Sequence, residues 1–159
     1  MMLVFSSIFV IADMPKETEG KTIVKDGVTY VVSQPFRINT NADFTASGKC
    51  SGGDGSVGNP WIIENYDING SGYGYCIYIG NITDYFVVRD CYVHHAEIGL
   101  NFFNVKNGKI ENTTANSNTL HGICFDSSSY NSVTNNLASR NYNGIYLGSS
   151  SNNTLAKNT

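Results

Sequence analysis

Apolar and polar positions alternate in four short segments: Cys76-Ile77-Tyr78-Ile79, Gly99-Leu100-Asn101-Phe102, Gly122-Ile123-Cys124-Phe125 and Gly144-Ile145-Tyr146-Leu147. Their starts are 23, 23 and 22 residues apart (76 to 99, 99 to 122, 122 to 144). Alternation over so few residues is the signature of a strand with one buried face. Eleven residues after each start stands another apolar position: Val87, Ile110, Val133 and Leu155. Three further on is a mostly polar column of Asp90, Thr113, Asn136 and Asn158. An earlier coil joins in, because Trp61-Ile62-Ile63-Glu64-Asn65 aligns with Phe86-Val87-Val88-Arg89-Asp90 at a 25-residue offset. A repeat this short has no room for a strand, crossover helix and strand, which needs about 30 residues. It fits two or three short strands joined by tight turns, one turn of a solenoid.

The pattern therefore predicts an all-β, single-stranded parallel β-helix with coils of about 22 to 25 residues. Equivalent residues stack, so Ile77, Leu100, Ile123 and Ile145 form one interior ladder and Ile79, Phe102, Phe125 and Leu147 a second. Val87, Ile110, Val133 and Leu155 form the third. The column Asn65, Asp90, Thr113, Asn136 and Asn158 is expected to hydrogen-bond along the stack at a turn, as amide ladders do in registered β-stacks. The expected boundaries are 1–20 for a hydrophobic leader and linker, 21–60 for an N-terminal strand and capping segment, and 61–159 for the coils. Within the second part, Val28 to Val32 has a strand pattern and the loop-rich 34–59 is suited to folding over the first coil. Such a cap shields unpaired strand groups and apolar side chains. At the other end the last repeat is incomplete, so further coils or another chain are expected to cover it.

Met2 to Ala12 is the one continuous apolar run. It is too short to span a bilayer and has the length of a signal-peptide core, with small Ala12 at its end, although no basic residue precedes it. Export to the periplasm, the cell surface or the medium is the expectation, with a buried N-terminal strand as the alternative. Only 14% of residues are charged and the net charge is -3, so polarity comes from Asn, Ser, Thr and Gly. That suits turns and gives no reason to expect nucleic acid as a partner. Cys50, Cys76, Cys91 and Cys124 allow three disulfide pairings, or serve, Cys76 and Cys124 above all, as small hydrophobes. No CxxC spacing supports a zinc site.

The stretch Gly53-Asp54-Gly55-Ser56-Val57-Gly58-Asn59-Pro60-Trp61-Ile62-Ile63-Glu64, with Tyr66-Asp67-Ile68 after it, resembles the NosD-like parallel β-helix repeat proteins, abundant among archaeal secreted and surface proteins. Phe36 to Asn39, Asp43 to Thr45, Gly144 to Leu147 and Asn152 to Leu155 carry the same resemblance, which covers 34–159. It implies a right-handed, pectin lyase-like helix, export, and carbohydrate-related binding. The NosD-type role in copper-site maturation rides on no metal-binding motif among these residues, and a shared fold is weak ground for a shared function.

Three chemistries compete for the site. A recognition scaffold without catalysis would present Tyr78, Asn101 and Tyr146 outward to a polysaccharide or other surface partner, with Tyr92 and Tyr142 nearby, since aromatic rings offer apolar faces to sugars. A polysaccharide lyase or glycoside hydrolase needs paired carboxylates, or a base with Ca²⁺. The acids Asp84, Asp90 and Asp126 fall on different columns, no catalytic residue is assigned, and the reading leans away from an enzyme. Ca²⁺ belongs to that alternative; otherwise no cofactor is expected. His94, His95 and His121 suit copper or zinc by chemistry, yet His94 and His95 should point to opposite faces of an extended strand, so no metal ligand is assigned. Asn69, Asn81, Asn112 and Asn152 open N-glycosylation sequons.

Overall fold

A computed structural model describes residues 18–159. The apolar run Met2 to Ala12 lies outside the described residues. Strands β1 (Thr22–Lys25) and β2 (Val28–Val32) form an antiparallel hairpin, followed by β3 (Phe36–Ile38) and the short helix α1 (Asp43–Ala46). The chain then winds through β4 (Trp61–Glu64), β5 (Tyr66–Asn69) and β6 (Tyr75–Ile82), and repeats the circuit as β7 (Phe86–Arg89), β8 (Tyr92–His94) and β9 (Ile98–Val105). A third circuit holds β10 (Gly108–Glu111), β11 (Thr114–Asn116) and β12 (His121–Asp126), and the last coils hold β13 (Ser132–Thr134), β14 (Asn143–Gly148) and β15 (Thr154–Ala156). Three five-stranded sheets result: a first of β1-β2-β5-β8-β11, a second of β3-β6-β9-β12-β14 and a third of β4-β7-β10-β13-β15. Apart from the hairpin every ladder between strands is parallel, which makes a β-solenoid of about 4 turns.

Two of the interior ladders form as the alternation requires. Phe36, Ile77, Leu100, Ile123 and Ile145 stack in register, and beside them stand Ile38, Ile79, Phe102, Phe125 and Leu147. The third ladder is Ile63, Val88, Ile110, Val133 and Leu155, so Val88 and not Val87 faces inward. The cause is one extra corner residue. Ile82 pairs with Val105, a step of 23, but Phe86 pairs with Gly108, a step of 22, because Thr83-Asp84-Tyr85 occupies the corner that Lys106-Asn107 fills one coil later. A one-residue slip turns a strand's side chains to the other face. Phenylalanines run through the core: Phe86 stacks on Phe102 at 6.0 Å and Phe102 on Phe125 at 4.7 Å. At the hairpin end Phe44 of α1 is fully buried, stacked on Trp61 at 5.6 Å and tilted against Phe86 at 5.9 Å. It plugs the apolar interior there.

The Gly-rich stretch before Trp61 has a steric basis. Gly53 holds φ 101°, and a Cβ there would come within 2.0 Å of the Pro60 carbonyl. Gly55, at φ 81°, leaves room for the hydrogen bond from Trp61 Nε1 to Asp84 Oδ2, at 3.1 Å.

The corners explain the Asn content. At one corner of the later coils a residue in the left-handed region is followed by an inward polar one: Asn112 and Thr113, Asn135 and Asn136, Lys157 and Asn158. The column expected from sequence therefore splits in two. Asn65 and Asp90 belong with the left-handed residues Asn112, Asn135 and Lys157, whereas Thr113, Asn136 and Asn158 form the hydrogen-bonded stack. In that stack each inward side chain accepts the backbone N–H of its equivalent one coil earlier: Cys91 to Thr113 Oγ1, Thr113 to Asn136 Oδ1 (2.9 Å) and Asn136 to Asn158 Oδ1 (3.0 Å). The same device recurs at Asn118 and Asn141, at Asn131 and Asn153, and at Ser128 and Ser150. Amide N–H₂ groups close the account on carbonyls, as Asn136 Nδ2 does on Ile110 O at 3.1 Å. Buried backbone donors that no ladder reaches are satisfied in this way.

Candidate functional site

The second sheet has the longest strands, β6 and β9, and its outer face is regular. Arg37, Tyr78, Asn101, Cys124 and Tyr146 occupy one outward column. The three residues singled out from sequence, Tyr78, Asn101 and Tyr146, thus do come together. Arg37 and Cys124 complete the column; the 23-residue step placed Cys124 there, but its thiol points outward and not into the coil. Tyr78 bends along its strand until its hydroxyl would lie 2.4 Å from a Cβ at Gly80, and Tyr146 does the same over Gly148, at 3.0 Å for the nearest ring carbon. Neighbours brace both rings. The Arg37 guanidinium lies 5.1 Å from the Tyr78 centroid and Tyr75 at 5.5 Å, while His121 stacks on Tyr146 at 4.5 Å with 11° between the planes. Beside this column stand Gly80, Phe103, Asp126 and Gly148, so that Asp126 is its one carboxylate. Asp84 is turned to Trp61, and Arg89 is paired with Glu64 at 2.7 Å. Asp84, Asp90 and Asp126 stand at three different places on the coil.

Tyr92 lies elsewhere, on the first sheet, with Tyr30 at 6.3 Å and the Lys25 ammonium 4.3 Å above its ring. Tyr142 is 81% exposed and belongs to no strand. The sequon residues Asn69, Asn81, Asn112 and Asn152 are all exposed, the last three at left-handed corners. All four cysteines are free thiols. Burial pushes Cys76 and Cys91 up to about 12 and Cys50 and Cys124 up to about 11, leaving each a poor nucleophile.

Beside Tyr92 the first sheet carries a second polar group. Asp67 on β5 is fully buried, with Oδ1 2.9 Å from His94 Nε2 and Oδ2 in an ion pair with Lys25 of β1 and no further hydrogen bond. A carboxylate only accepts, so His94 donates to it from Nε2. The other ring nitrogen, Nδ1, faces His95 Nδ1 at 2.5 Å. Burial alone would raise the Asp67 carboxyl, but the His94 and Lys25 contacts outweigh it and hold it below its ordinary value. Burial, with the His94 and Lys25 charges, holds His95 below the usual imidazole range. His94 and His95 were expected on opposite faces. They meet because the strand ends at His94 and His95 turns into the left-handed region at φ 60°, which swings its ring onto its neighbour, with centroids 4.8 Å apart. His95 is exposed and opens on a surface cavity of about 440 Å³ that Tyr73, Glu97, Thr119 and Leu120 help to line. His121 stands apart on the second sheet, lowered by burial, with Asn143 Nδ2 at 3.1 Å from its Nδ1. Among the described residues no group of three or more His, Cys, Asp or Glu side chains forms a metal cage.

Stacked parallel coils, corner amide ladders and an outer face of aromatic and amide side chains define a β-solenoid that displays side chains in rows. Within that class, residues 16–159 match the family described as periplasmic copper-binding protein (NosD), and the chain belongs to this family. Comparisons with curated proteins and with solved structures return no match.

Proposed function

We propose that this chain is an exported recognition scaffold that takes a saccharide strand along the outer column of its second sheet. The observation that carries the reading is the alignment of Arg37, Tyr78, Asn101 and Tyr146 on one face. Tyr78 and Tyr146 are three coil steps apart, ~14 Å at the ~4.8 Å spacing of stacked strands. Braced rings bind at little entropic cost, and the amide and guanidinium offer hydrogen bonds to sugar hydroxyls. Hydrolysis would need a second carboxylate close to Asp126, so the face favours binding over cleavage. The family's description as periplasmic supports export. Retention of the full chain on a panel of immobilised polysaccharides, with and without Ca²⁺, tests the reading. Retention is expected, weakened at least tenfold by Tyr78→Ala or Tyr146→Ala. Retention by no polysaccharide, or retention indifferent to both changes, refutes it, and product release that needs Asp126 would put the cleaving alternative in its place.

The family's description also raises a second reading, copper binding. Copper accepts imidazole nitrogen, and a histidine ligand commonly donates its other N–H to a carboxylate. Asp67 stands behind His94 as the second condition asks, but the two Nδ1 atoms are 2.5 Å apart, too close for a metal ion between them, and no third ligand joins them among the described residues, so the residues present do not fit the metal.

A further inference from the structure

We infer that Asn69 is the residue at which this chain accepts an N-linked glycan, and that the fold withholds the other three sequons. The inference rests on the export reading, because the sugar donor is met outside the cytoplasm, and it is independent of the saccharide column. Transfer asks for a free Asn amide nitrogen, a Ser or Thr hydroxyl two residues on, and a surface loop that an enzyme can reach. Asn69 closes β5, is exposed, and leads into the turn 70–74, where Ser71, Gly72, Tyr73 and Gly74 are all exposed. Its Oδ1 accepts from the Ser71 N–H at 3.0 Å and from the Ser71 hydroxyl at 2.7 Å. Both bonds fall on the oxygen, so the hydroxyl is held beside the amide while Nδ2 stays free. Gly70 anchors the turn from beneath: its N–H donates to His94 O at 2.8 Å, and a Cβ there would lie 2.5 Å from Ala96 Cβ. No ladder holds Ser71 or Gly72.

The other sequons lack this freedom. Asn69 alone of the four lies outside the left-handed region. Asn81 is bound on both sides, by Nδ2 to Asn39 Oδ1 at 3.2 Å and by Oδ1 from Asn104 Nδ2 at 3.0 Å, and the Thr83 hydroxyl accepts from Asn41 Nδ2. Asn112 and Asn152 turn corners at φ 49° and 55°, and their hydroxyl residues, Thr114 and Thr154, already open β11 and β15. The N–H groups of those two threonines donate to Cys91 O and Asn131 O, at 2.8 and 2.9 Å. An enzyme could draw out these sequons only by opening the ladder, whereas the turn after Asn69 is open already. In the step itself Asn69 Nδ2 attacks the anomeric carbon of a lipid-diphosphate-linked oligosaccharide. The bond from that carbon to the phosphate oxygen breaks, the lipid diphosphate leaves, and Nδ2 gives up one proton to a base of the enzyme. Asn69 pairs with His94, so the glycan stands on the first sheet and leaves the second uncovered.

The experiment incubates the folded full chain with a purified oligosaccharyltransferase that accepts any Asn-X-Ser/Thr and with a lipid-diphosphate oligosaccharide. Occupancy at each sequon is read by peptide mass spectrometry, and the same chain cut into peptides controls for local sequence preference. The folded chain is expected to take one glycan, at Asn69, with occupancy at least tenfold above that of Asn81, Asn112 or Asn152. In the peptides that bias should vanish. Asn69→Gln and Ser71→Ala, both at exposed positions, should abolish the modification, and Ser71→Thr should keep it. No glycan on the folded chain, or another sequon occupied as fully as Asn69, overturns the assignment. A bias that persists in the peptides overturns the claim that the fold withholds the others. Run on purified chain, the assay judges the acceptor apart from export, which fractionation of the producing cells tests separately.

Discussion

Asn136 tests the corner ladder most directly. It is 2% exposed and its amide makes three kinds of contact: Oδ1 accepts from Thr113 N–H at 2.9 Å, and Nδ2 donates to Ile110 O at 3.1 Å and to Asn158 Oδ1 at 3.0 Å. Asn136→Ala strips the partner from two backbone groups inside the coil, Thr113 N–H and Ile110 C=O. Each buried orphan costs roughly 1–3 kcal/mol, so a loss of ~2–5 kcal/mol is expected. For a chain of this size that corresponds to a fall in Tm of about 10 °C. Asn136→Thr should recover part of the loss, to ~1–2 kcal/mol, because a hydroxyl can accept the same N–H. Thr113 already does so one coil earlier, from Cys91 N–H. Asn135→Ala, at the exposed left-handed neighbour with φ 57°, should cost only ~1 kcal/mol of backbone strain. Urea titration gives the global number. Because stacked repeats can unfold piecemeal, amide exchange at Thr113 supplies the local one. The reasoning fails if the Ala variant matches wild type within about 0.5 kcal/mol, or if Thr is no better than Ala.

Two further outcomes follow from the same structure. Phe44→Ala empties the plug against Trp61 and Phe86 and should cost ~3–5 kcal/mol, with exchange rising first in β4 and β7; a uniform rise along the solenoid would argue against a local plug. The hydrogen bond from Ser51, and then Arg89, holds Glu64 below its ordinary 4.5 against the opposing effect of burial. A folded value below the unfolded one means that its stabilisation is complete above about pH 4.5 and fades as the pH falls through the depressed value. The urea midpoint of wild type should therefore drop more steeply with acid than that of Glu64→Gln, and parallel curves would contradict the pairing.

Much of the solenoid was legible along the chain. An inward strand residue must be apolar and must recur with each coil, so Ile77, Leu100, Ile123 and Ile145 announced their ladder by spacing alone. The outward column was legible for the same reason, and Tyr78, Asn101 and Tyr146 share it. What spacing could not show was the single extra residue in the corner 83–85, because a turn of three residues and one of two read alike. That residue moved the third ladder from Val87 to Val88 and split the polar column. The amide ladders were visible as Asn content, but which Asn turns inward is set by the left-handed residue before it. The meeting of Asp67, His94 and His95 was hidden for a related reason. His95 leaves the extended conformation, and Lys25 arrives from an antiparallel hairpin more than 40 residues before Asp67. Periodicity thus determined the stack and its faces, since burial repeats with the coil. Tertiary structure alone decided the register at the corners and the buried charge beside the histidines, because both depend on backbone turns and long-range contacts that no local pattern encodes.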